Sequence, residues 1–301
     1  MPSQDVSKLP RLEKSTPVCC EPSCQLFCAA EDATLPARFG RRPHDAPPWI
    51  SPDNKLRRHG VRYLQLGGDT WNRCGHGWLN IDGNFDRGDG APNGAENIIF
   101  TDDTDRHNMK HVTTKSSRLP FADASVQFVY SEHMLEHMLP IEGGGVNFLR
   151  DAWRVLAPGG MMRLVTPDLA KYACALAGRG PASDSGFLEQ HANRFRPMEM
   201  LTNPPSRATT VNNIFRNYGH QWIYDFEELK HALRYAGINP SYACRSDRTG
   251  RGLPRWARLA MRRANAPKND TQTCWLDQVV REGESMYVNV FKPLGGVIIR
   301  R

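Results

Sequence analysis

The chain has 301 residues, a formal net charge of +7 and 40% hydrophobic residues. No run reaches the ~20 apolar residues of a membrane span, and no charged-then-apolar signal sequence opens the chain, so we expect neither a membrane anchor nor secretion. About 200–250 residues suffice for a complete α/β core, which predicts one catalytic domain with additions in a cytoplasmic protein.

The N-terminal 48 residues show no sustained apolar period and many prolines, which predicts an irregular or disordered leader at 1–48. Its four cysteines match neither paired C-x-x-C zinc ligands nor common iron–sulfur spacing, so an adventitious thiol cluster is favoured over a metal site. These are Cys19, Cys20, Cys24 and Cys28. The other cysteines stand singly, as thiols in a reducing compartment do; they are Cys74, Cys174, Cys244 and Cys274. We place the catalytic domain at 49–293 and a tail at 294–301.

The first predicted strand of that domain, at 61–66, runs directly into Gly67 and Gly68. Glycine at this point lets backbone N–H groups approach a polar ligand that a Cβ would exclude. A second apolar run, 78–81, ends at Asp82, whose carboxylate is placed to accept both hydroxyls of a ribose. The two strands favour a nucleotide cofactor, and an ordinary strand turn with a capping Asp is the open alternative.

The most informative stretch is 119–168. It reads as a buried strand with alternating apolar residues from Val126 to Tyr130, then a helix start, a Pro-Gly-Gly turn and a second buried strand at 161–166. This layout is typical of a parallel βαβ unit. Polar residues 131–133 follow the first strand, at the sheet edge where open α/β sheets bind ligands.

The order of LPF at 119–121, EH at 132–133 and RVLAPGG at 154–160 is typical of one family. The chain resembles the class I S-adenosylmethionine-dependent methyltransferases of the type 11-like group, over roughly 61–293. The resemblance implies an α/β fold with a doubly wound, mostly parallel seven-stranded sheet of the Rossmann-like type, and S-adenosyl-L-methionine as cofactor. It also implies cofactor contacts at Leu66, Gly67, Gly68, Asp82, Leu119 and Glu132.

Two places depart from the family pattern. Asp69 stands where the family usually has a second glycine, and 114–116 (Thr-Lys-Ser) occupy the place of an acid that contacts the adenine amine. A binding or scaffold protein that keeps the fold without turnover is therefore an open alternative. A nucleic-acid methyltransferase is another, but no Asn/Asp-Pro-Pro-Tyr/Phe-like motif follows the fourth strand, so no stable nucleic-acid partner is predicted.

His133, Glu136 and His137 spell H-x-x-E-H, a pattern that on a helix can place two histidines on one face to bind zinc. A zinc peptidase is the rival prediction. The motif directly follows a buried strand and the sequence offers no third ligand, so we predict no metal site. In the methyltransferase interpretation Glu132 and His133 lie against the cofactor, while Glu136 and His137 pack the helix.

A hydroxyl acceptor needs a base, and histidine has a suitable pKa. The candidate catalytic residues are His133 and His220. His220 lies in RNYGHQWIYDF, just before a predicted helix at 225–236. Capping or packing of that helix is the alternative role for His220.

Two insertions are the predicted contact regions for the acceptor. Segment 171–218 is polar and contains a Pro-Pro pair, which is typical of a lid. Segment 245–268 has eight Lys/Arg residues against one acid, with Arg255, Arg258 and Arg262 along one helical side. Such a helix binds an anionic ligand or a membrane surface, and a solvated surface is the alternative. We therefore predict methyl transfer to a small molecule, sugar or glycan acceptor, at oxygen.

Overall fold

The computed structural model describes residues 63–67, 78–82, 97–99, 119, 121–142, 144–179, 206–216, 218–265, 276–277 and 281–294. The strands in this part of the chain are β1 (Tyr63–Leu66), β2 (Trp78–Asp82), β3 (Asn97–Ile99), β4 (Val126–Glu132), β5 (Leu156–Pro167), β6 (Ala243–Ser246) and β7 (Ser285–Phe291). The α-helices are α1 (Gly145–Val155), α2 (Leu169–Leu176), α3 (Arg207–Arg216), α4 (Phe226–Tyr235) and α5 (Arg255–Asn265). The predicted leader at 1–48 lies outside the described residues.

The seven described strands form one sheet in the order β3-β2-β1-β4-β5-β7-β6. Strands β1 to β5 run parallel, whereas β7 runs antiparallel to both β5 and β6. The chain proceeds outward from β1 to β3 and then returns to β4 on the other side of β1. A reversal of this kind opens a crevice at the carboxyl ends of the two central strands. The predicted doubly wound, mostly parallel α/β sheet is confirmed.

Helices cover both faces of the sheet, as a doubly wound fold requires. On one face Leu149 of α1 and Leu229 of α4 belong to the same buried cluster as Val129 of β4. On the other face Met261 of α5 packs with Tyr130 of β4. Successive residues of a strand point to opposite faces, so β4 is buried on both sides and contributes to both layers.

The connections on either side of α1 differ from their predicted form. Leu156 pairs with Val126 and Met161 with Phe128, so the Pro-Gly-Gly segment is a bulge in the β4–β5 ladder. The predicted helix start after β4 is wrong, because only a 3-10 turn, Leu135–His137, follows there and α1 begins ten residues later than Leu135, at Gly145. His133 has a φ of +51°, which an α-helix does not allow.

The described parts of the two insertions are helical and packed. Residues 171–179 and 206–216 of the predicted lid include α2 and α3, which share a small buried cluster through Tyr172 and Ile214. Segment 245–268 contains α5, which begins at Arg255 as the pattern of arginines indicated. The lid function and the domain boundaries stay predictions.

The cysteines and the helices bear on location. Cys174 is a buried free cysteine, as predicted. Cys244 is disulfide-bonded, so the prediction of a single thiol is wrong at this position. The cytoplasmic location stays a prediction. Within the described ranges, every helix is too short or too polar to span a bilayer.

Candidate active site

The carboxyl ends of β1 and β4 meet at the predicted cofactor edge, where Leu66 pairs with Ser131. Gly67 continues from Leu66 with a φ of +80°, and its N–H donates to the carbonyl of Ile81 over 2.9 Å. A Cβ on Gly67 would lie 2.7 Å from the Cβ of Met134, just beyond β4. The close approach of these two segments therefore requires glycine.

The other predicted cofactor residues lie along this edge as far as the structure describes them. Asp82 is the last residue of β2, on the strand that pairs with β1, and its side chain lies outside the description, as does all of Gly68. Leu119 is buried and held by α1: its N–H donates to the Asp151 carboxylate, and its carbonyl accepts from Arg154 Nη2 over 2.9 Å.

The edge offers polar groups that a nucleoside cofactor can use. The hydroxyl of Ser131 is buried and has no hydrogen-bond partner in the described part of the chain. Buried hydroxyls usually have a partner, and this one stands at the crevice between β1 and β4. The Ser131 hydroxyl and the backbone of Gly67, which carries no side chain, are therefore compatible with a nucleoside bound in the crevice between β1 and β4.

Glu132 ends β4 within a buried polar network. The Tyr130 hydroxyl lies 2.7 Å from Glu132 Oε2 and 3.2 Å from Asp277 Oδ1, and accepts the Asp277 N–H over 2.6 Å. Burial raises the pKa of the Glu132 carboxyl above 4.5, although His133 and the Tyr130 hydroxyl act in the opposite direction. Glu132 thus lies at the predicted cofactor edge and is linked through the Tyr130 hydroxyl to Asp277, far along the chain.

Arg163 on β5 anchors the same network. It is fully buried, donates to Asp277 Oδ2 and Asn289 Oδ1 over 2.8 Å each, and lies 5.1 Å from the centre of the Tyr287 ring. Sequence reasoning missed this residue. The signal was an arginine inside the apolar run MMRLV, because a charge in a buried strand requires a counter-charge.

His133, a predicted catalytic residue, has a buried polar group beside each of its ring nitrogens. Its Nε2 is hydrogen-bonded to Ser285 Oγ over 2.7 Å, and its Nδ1 lies 3.0 Å from Glu136 Oε1. Ser–His–carboxylate arrangements activate nucleophiles in hydrolases. Here Ser285 is 0% exposed, so its hydroxyl fixes the imidazole and has no access to a substrate. No pattern around Ser285 pointed to this role.

His220, the second predicted catalytic residue, lies on the other side of Glu136. Its Nδ1 is 2.6 Å from the carbonyl of Ile214, and its Nε2 is 3.8 Å from Glu136 Oε1. A carbonyl only accepts hydrogen bonds, so Nδ1 carries the proton and Nε2 holds the lone pair in the neutral ring. Burial lowers the pKa of His220 below 6.5, with Glu136 opposing. The His137 ring packs edge-on against it, with centroids 4.8 Å apart.

Glu136 is the fully buried centre of this group. Thr166 Oγ1 donates to its Oε2 over 3.0 Å, while its Oε1 accepts no hydrogen bond from the described residues. Burial alone would raise the pKa of Glu136, but the three neighbouring histidines outweigh it and lower the pKa to about 2. The backbone carbonyl of Glu136 also accepts the N–H groups of Gln221 and Trp222, which attach the His220 segment to the turn after β4.

Residues 96–164 match the model of the family described as "Methyltransferase domain". Over this segment the chain is similar to that methyltransferase family. The match confirms the family that the motifs of 119–160 predicted. The matched segment includes β4, α1 and most of β5, so it contains Glu132, His133 and Glu136.

No curated protein matches this chain. Solved structures similar to it include a SAM-dependent methyltransferase from Archaeoglobus fulgidus, at 13% identity and a TM-score of 0.35, with 78% of this chain and 87% of that chain covered. An S-adenosylmethionine-dependent methyltransferase from Mesorhizobium loti has 15% identity and a TM-score of 0.34, with 77% and 90% covered.

Proposed function

We propose that this methyltransferase transfers the methyl group of S-adenosylmethionine to an oxygen of a small molecule, sugar or glycan. The observation that carries the proposal is His220, whose Nε2 lone pair faces a buried carboxylate at the carboxyl edge of the sheet. This edge continues directly from the glycine turn of β1 through Met134. An acceptor held at His220 would lie on the same side of the sheet as the proposed cofactor crevice.

The proposed cofactor contacts are those expected from the sequence. Backbone at Leu66, Gly67 and Gly68 approaches the ligand, Asp82 accepts the ribose hydroxyls, and Leu119 and Glu132 line the crevice. When bound, S-adenosylmethionine supplies a methyl group on a sulfonium sulfur, and the sulfur leaves with the electron pair of the broken bond as the acceptor oxygen forms the new O–CH₃ bond. The chain's own work is to align the acceptor and remove its proton.

We assign proton removal to His220 rather than to His133. His133 Nε2 is hydrogen-bonded to Ser285, and its Nδ1 lies 3.0 Å from the buried Glu136 Oε1, so both ring nitrogens face buried groups of the protein. His220 engages only its Nδ1 in a short hydrogen bond, so its Nε2 can accept the proton of an acceptor hydroxyl. Glu136 Oε1, 3.8 Å away, stabilises the imidazolium that then forms. His133 acts as a positioning residue that holds Glu136.

The packing of the basic helix α5 favours binding of an anionic acceptor over binding to a membrane surface. Arg255, Arg258 and Arg262 are exposed, whereas Ala257 and Met261 are buried against the sheet. The apolar side that would enter a bilayer is thus already used in the fold. Exposed guanidinium groups remain available for phosphate or carboxylate groups of an acceptor.

Isothermal titration calorimetry of the full chain with S-adenosylmethionine and S-adenosylhomocysteine tests the cofactor site, with Asp82→Ala as the variant. We expect micromolar binding that Asp82→Ala abolishes, and transfer of radiolabelled methyl to members of a hydroxyl-acceptor panel. Binding without any transfer would support the scaffold alternative. Absence of binding by the intact chain would overturn the proposal and make Asp69 and the missing adenine acid decisive.

A further inference from the structure

We propose that Glu136, His137 and His220 form a binding site for a divalent cation of the zinc type. One carboxylate oxygen and one ring nitrogen from each histidine all lie within 4.8 Å of one another. Two imidazoles and one carboxylate are the protein ligands of many catalytic zinc sites, in which a fourth position stays open. The sequence motif alone had suggested His133 and His137 as ligands, but the fold brings His220 to the group instead.

The spacing is close to that of a coordination sphere. Ligand atoms at about 2.1 Å from a tetrahedral zinc ion lie about 3.4 Å apart. His220 Nε2 and Glu136 Oε1 are 3.8 Å apart, so small side-chain rotations bring both to a shared ion. The two N–H groups that the Glu136 carbonyl accepts hold the backbones of these two ligands together.

The ligands are also oriented by contacts outside the coordination sphere. The Ile214 carbonyl holds His220 Nδ1 over 2.6 Å, which directs the Nε2 lone pair toward Glu136. Thr166 Oγ1 holds Glu136 Oε2 over 3.0 Å, which leaves Oε1 for the cation. Metal-binding histidines usually donate their second N–H to a carbonyl or carboxylate, and metal-binding carboxylates are themselves hydrogen-bonded.

The observation that most favours a bound cation is the burial of the Glu136 Oε1 atom. Glu136 is 0% exposed, and its Oε1 has no hydrogen-bond partner in the described part of the chain. A buried anionic oxygen needs a partner to offset its lost hydration. The polar atoms beside this oxygen are His133 Nδ1 at 3.0 Å and His220 Nε2 at 3.8 Å, and a cation shared with His220 would give it a partner on that side.

A cation there would bind the acceptor oxygen at its open position and lower the pKa of the acceptor hydroxyl. This role rests on the proposed function, whereas cation binding does not. The cation would then replace His220 as the group that prepares the acceptor, because Nε2 cannot hold a metal and a proton together.

Co²⁺ is the probe, because its visible spectrum distinguishes nitrogen and oxygen ligands from thiolates. The titration uses the full chain with four cysteines of the leader replaced by Ser, so that the leader thiols cannot bind the ion. These cysteines are Cys19, Cys20, Cys24 and Cys28. After chelator dialysis, Co²⁺ is titrated without cofactor or acceptor, and bound Zn²⁺ is counted by mass spectrometry. We expect one ion per chain and no thiolate charge-transfer band.

Two variants and one control assign the ligands. His220→Gln should weaken Co²⁺ affinity at least tenfold, and His231→Gln, on the exposed side of α4, should leave it unchanged. Thr166→Val keeps all three ligands and should weaken affinity about tenfold or more through Glu136 alone. Circular dichroism confirms that each variant is folded. A chain that binds no ion, or binds it equally well in folded His220→Gln, would overturn the site.

Methyl transfer in excess chelator separates this inference from the proposed function. Transfer that is lost in chelator and restored by Zn²⁺ or Co²⁺ supports the catalytic role. Full transfer in chelator would overturn that role and leave His220 as the base. Stoichiometric Co²⁺ binding by a chain that methylates nothing would support the site while overturning the proposed function.

Discussion

Gly67 and Met134 are packed so closely that a Cβ on Gly67 would lie 2.7 Å from the Cβ of Met134. Gly67→Ala must both hold a φ of +80° and displace Met134. Gly237 has a φ of +81° with no atom within 4 Å of its virtual Cβ, so Gly237→Ala suffers the backbone strain alone. We expect Gly67→Ala to lose about 1–3 kcal/mol more unfolding free energy than Gly237→Ala, measured by urea denaturation. Equal losses would show that Met134 moves away freely.

The charge of Glu132 should make stability depend on pH. Its pKa is raised above 4.5 by burial, so the folded state binds the proton more tightly than the unfolded chain. The contribution of Glu132 to the free energy of unfolding is complete below pH 4.5 and is lost as pH rises through the raised pKa. Glu132→Gln keeps an acceptor for the Tyr130 hydroxyl, so we expect greater stability than the parent at neutral pH and a flatter profile above pH 4.5.

Thermal unfolding across that pH range checks the Glu132 prediction. Glu227→Gln is the control, because its side chain is 70% exposed, and its profile should run parallel to that of the parent. If Glu132→Gln were less stable at neutral pH, the carboxylate charge would be stabilised by Arg281 and His133 more than burial opposes it.

The buried pair of Arg163 and Asp277 should be strongly coupled. Asp277→Ala leaves a fully buried guanidinium without its carboxylate, and we expect a loss of about 3–5 kcal/mol in unfolding free energy. The double variant Arg163→Met/Asp277→Ala should be more stable than Asp277→Ala alone, because no unpaired charge remains. Glu142→Ala at the exposed Arg150 pair is the control and should change stability little. A double variant less stable than either single variant would contradict the coupling.

His220 should be required for turnover and not for cofactor binding. We expect His220→Ala to lower kcat by at least 100-fold while the Kd for S-adenosylhomocysteine stays within a factor of two of the parent. His231→Ala is the matched control on α4 and should keep full activity. Normal turnover by His220→Ala would remove this residue from the reaction.

The exposed arginines of α5 should act on acceptor capture. Replacing Arg255, Arg258 and Arg262 together by Gln is expected to raise the KM for an anionic acceptor up to about tenfold at low salt, with little change in kcat. Arg234→Gln, exposed on α4, is the control for charge alone. An acceptor KM that does not respond to salt in the parent protein would exclude electrostatic capture.

Sequence reasoning predicted the parts of the fold that local pattern determines. The buried strand beginning at Val126 and the late helix predicted at 225–236 were both readable, because apolar periodicity is a local signal. The turn after β4 was not, since the left-handed backbone of His133 depends on its contacts with Ser285 and Glu136.

The candidate site was predicted in its members but not in its arrangement. His133 and His220 were identified as separate alternatives, yet both lie beside Glu136, which had been assigned to helix packing. The pairing of Arg163 with Asp277 spans 114 positions and has no local pattern at the second residue. Contacts of this kind arise only from the topology of the sheet.

Strand β7 lies between β5 and β6, although it follows both of them in the chain. It carries Ser285, which holds His133, and Asn289, which holds Arg163. During synthesis, β5 therefore emerges with the charged side chain of Arg163 and with one hydrogen-bonding edge unpaired. Their partners on β7 are made more than a hundred residues later. The proposed site is therefore assembled only after β7 has been synthesised and inserted between β5 and β6, so a nascent chain that stops before β7 lacks the partners of both His133 and Arg163.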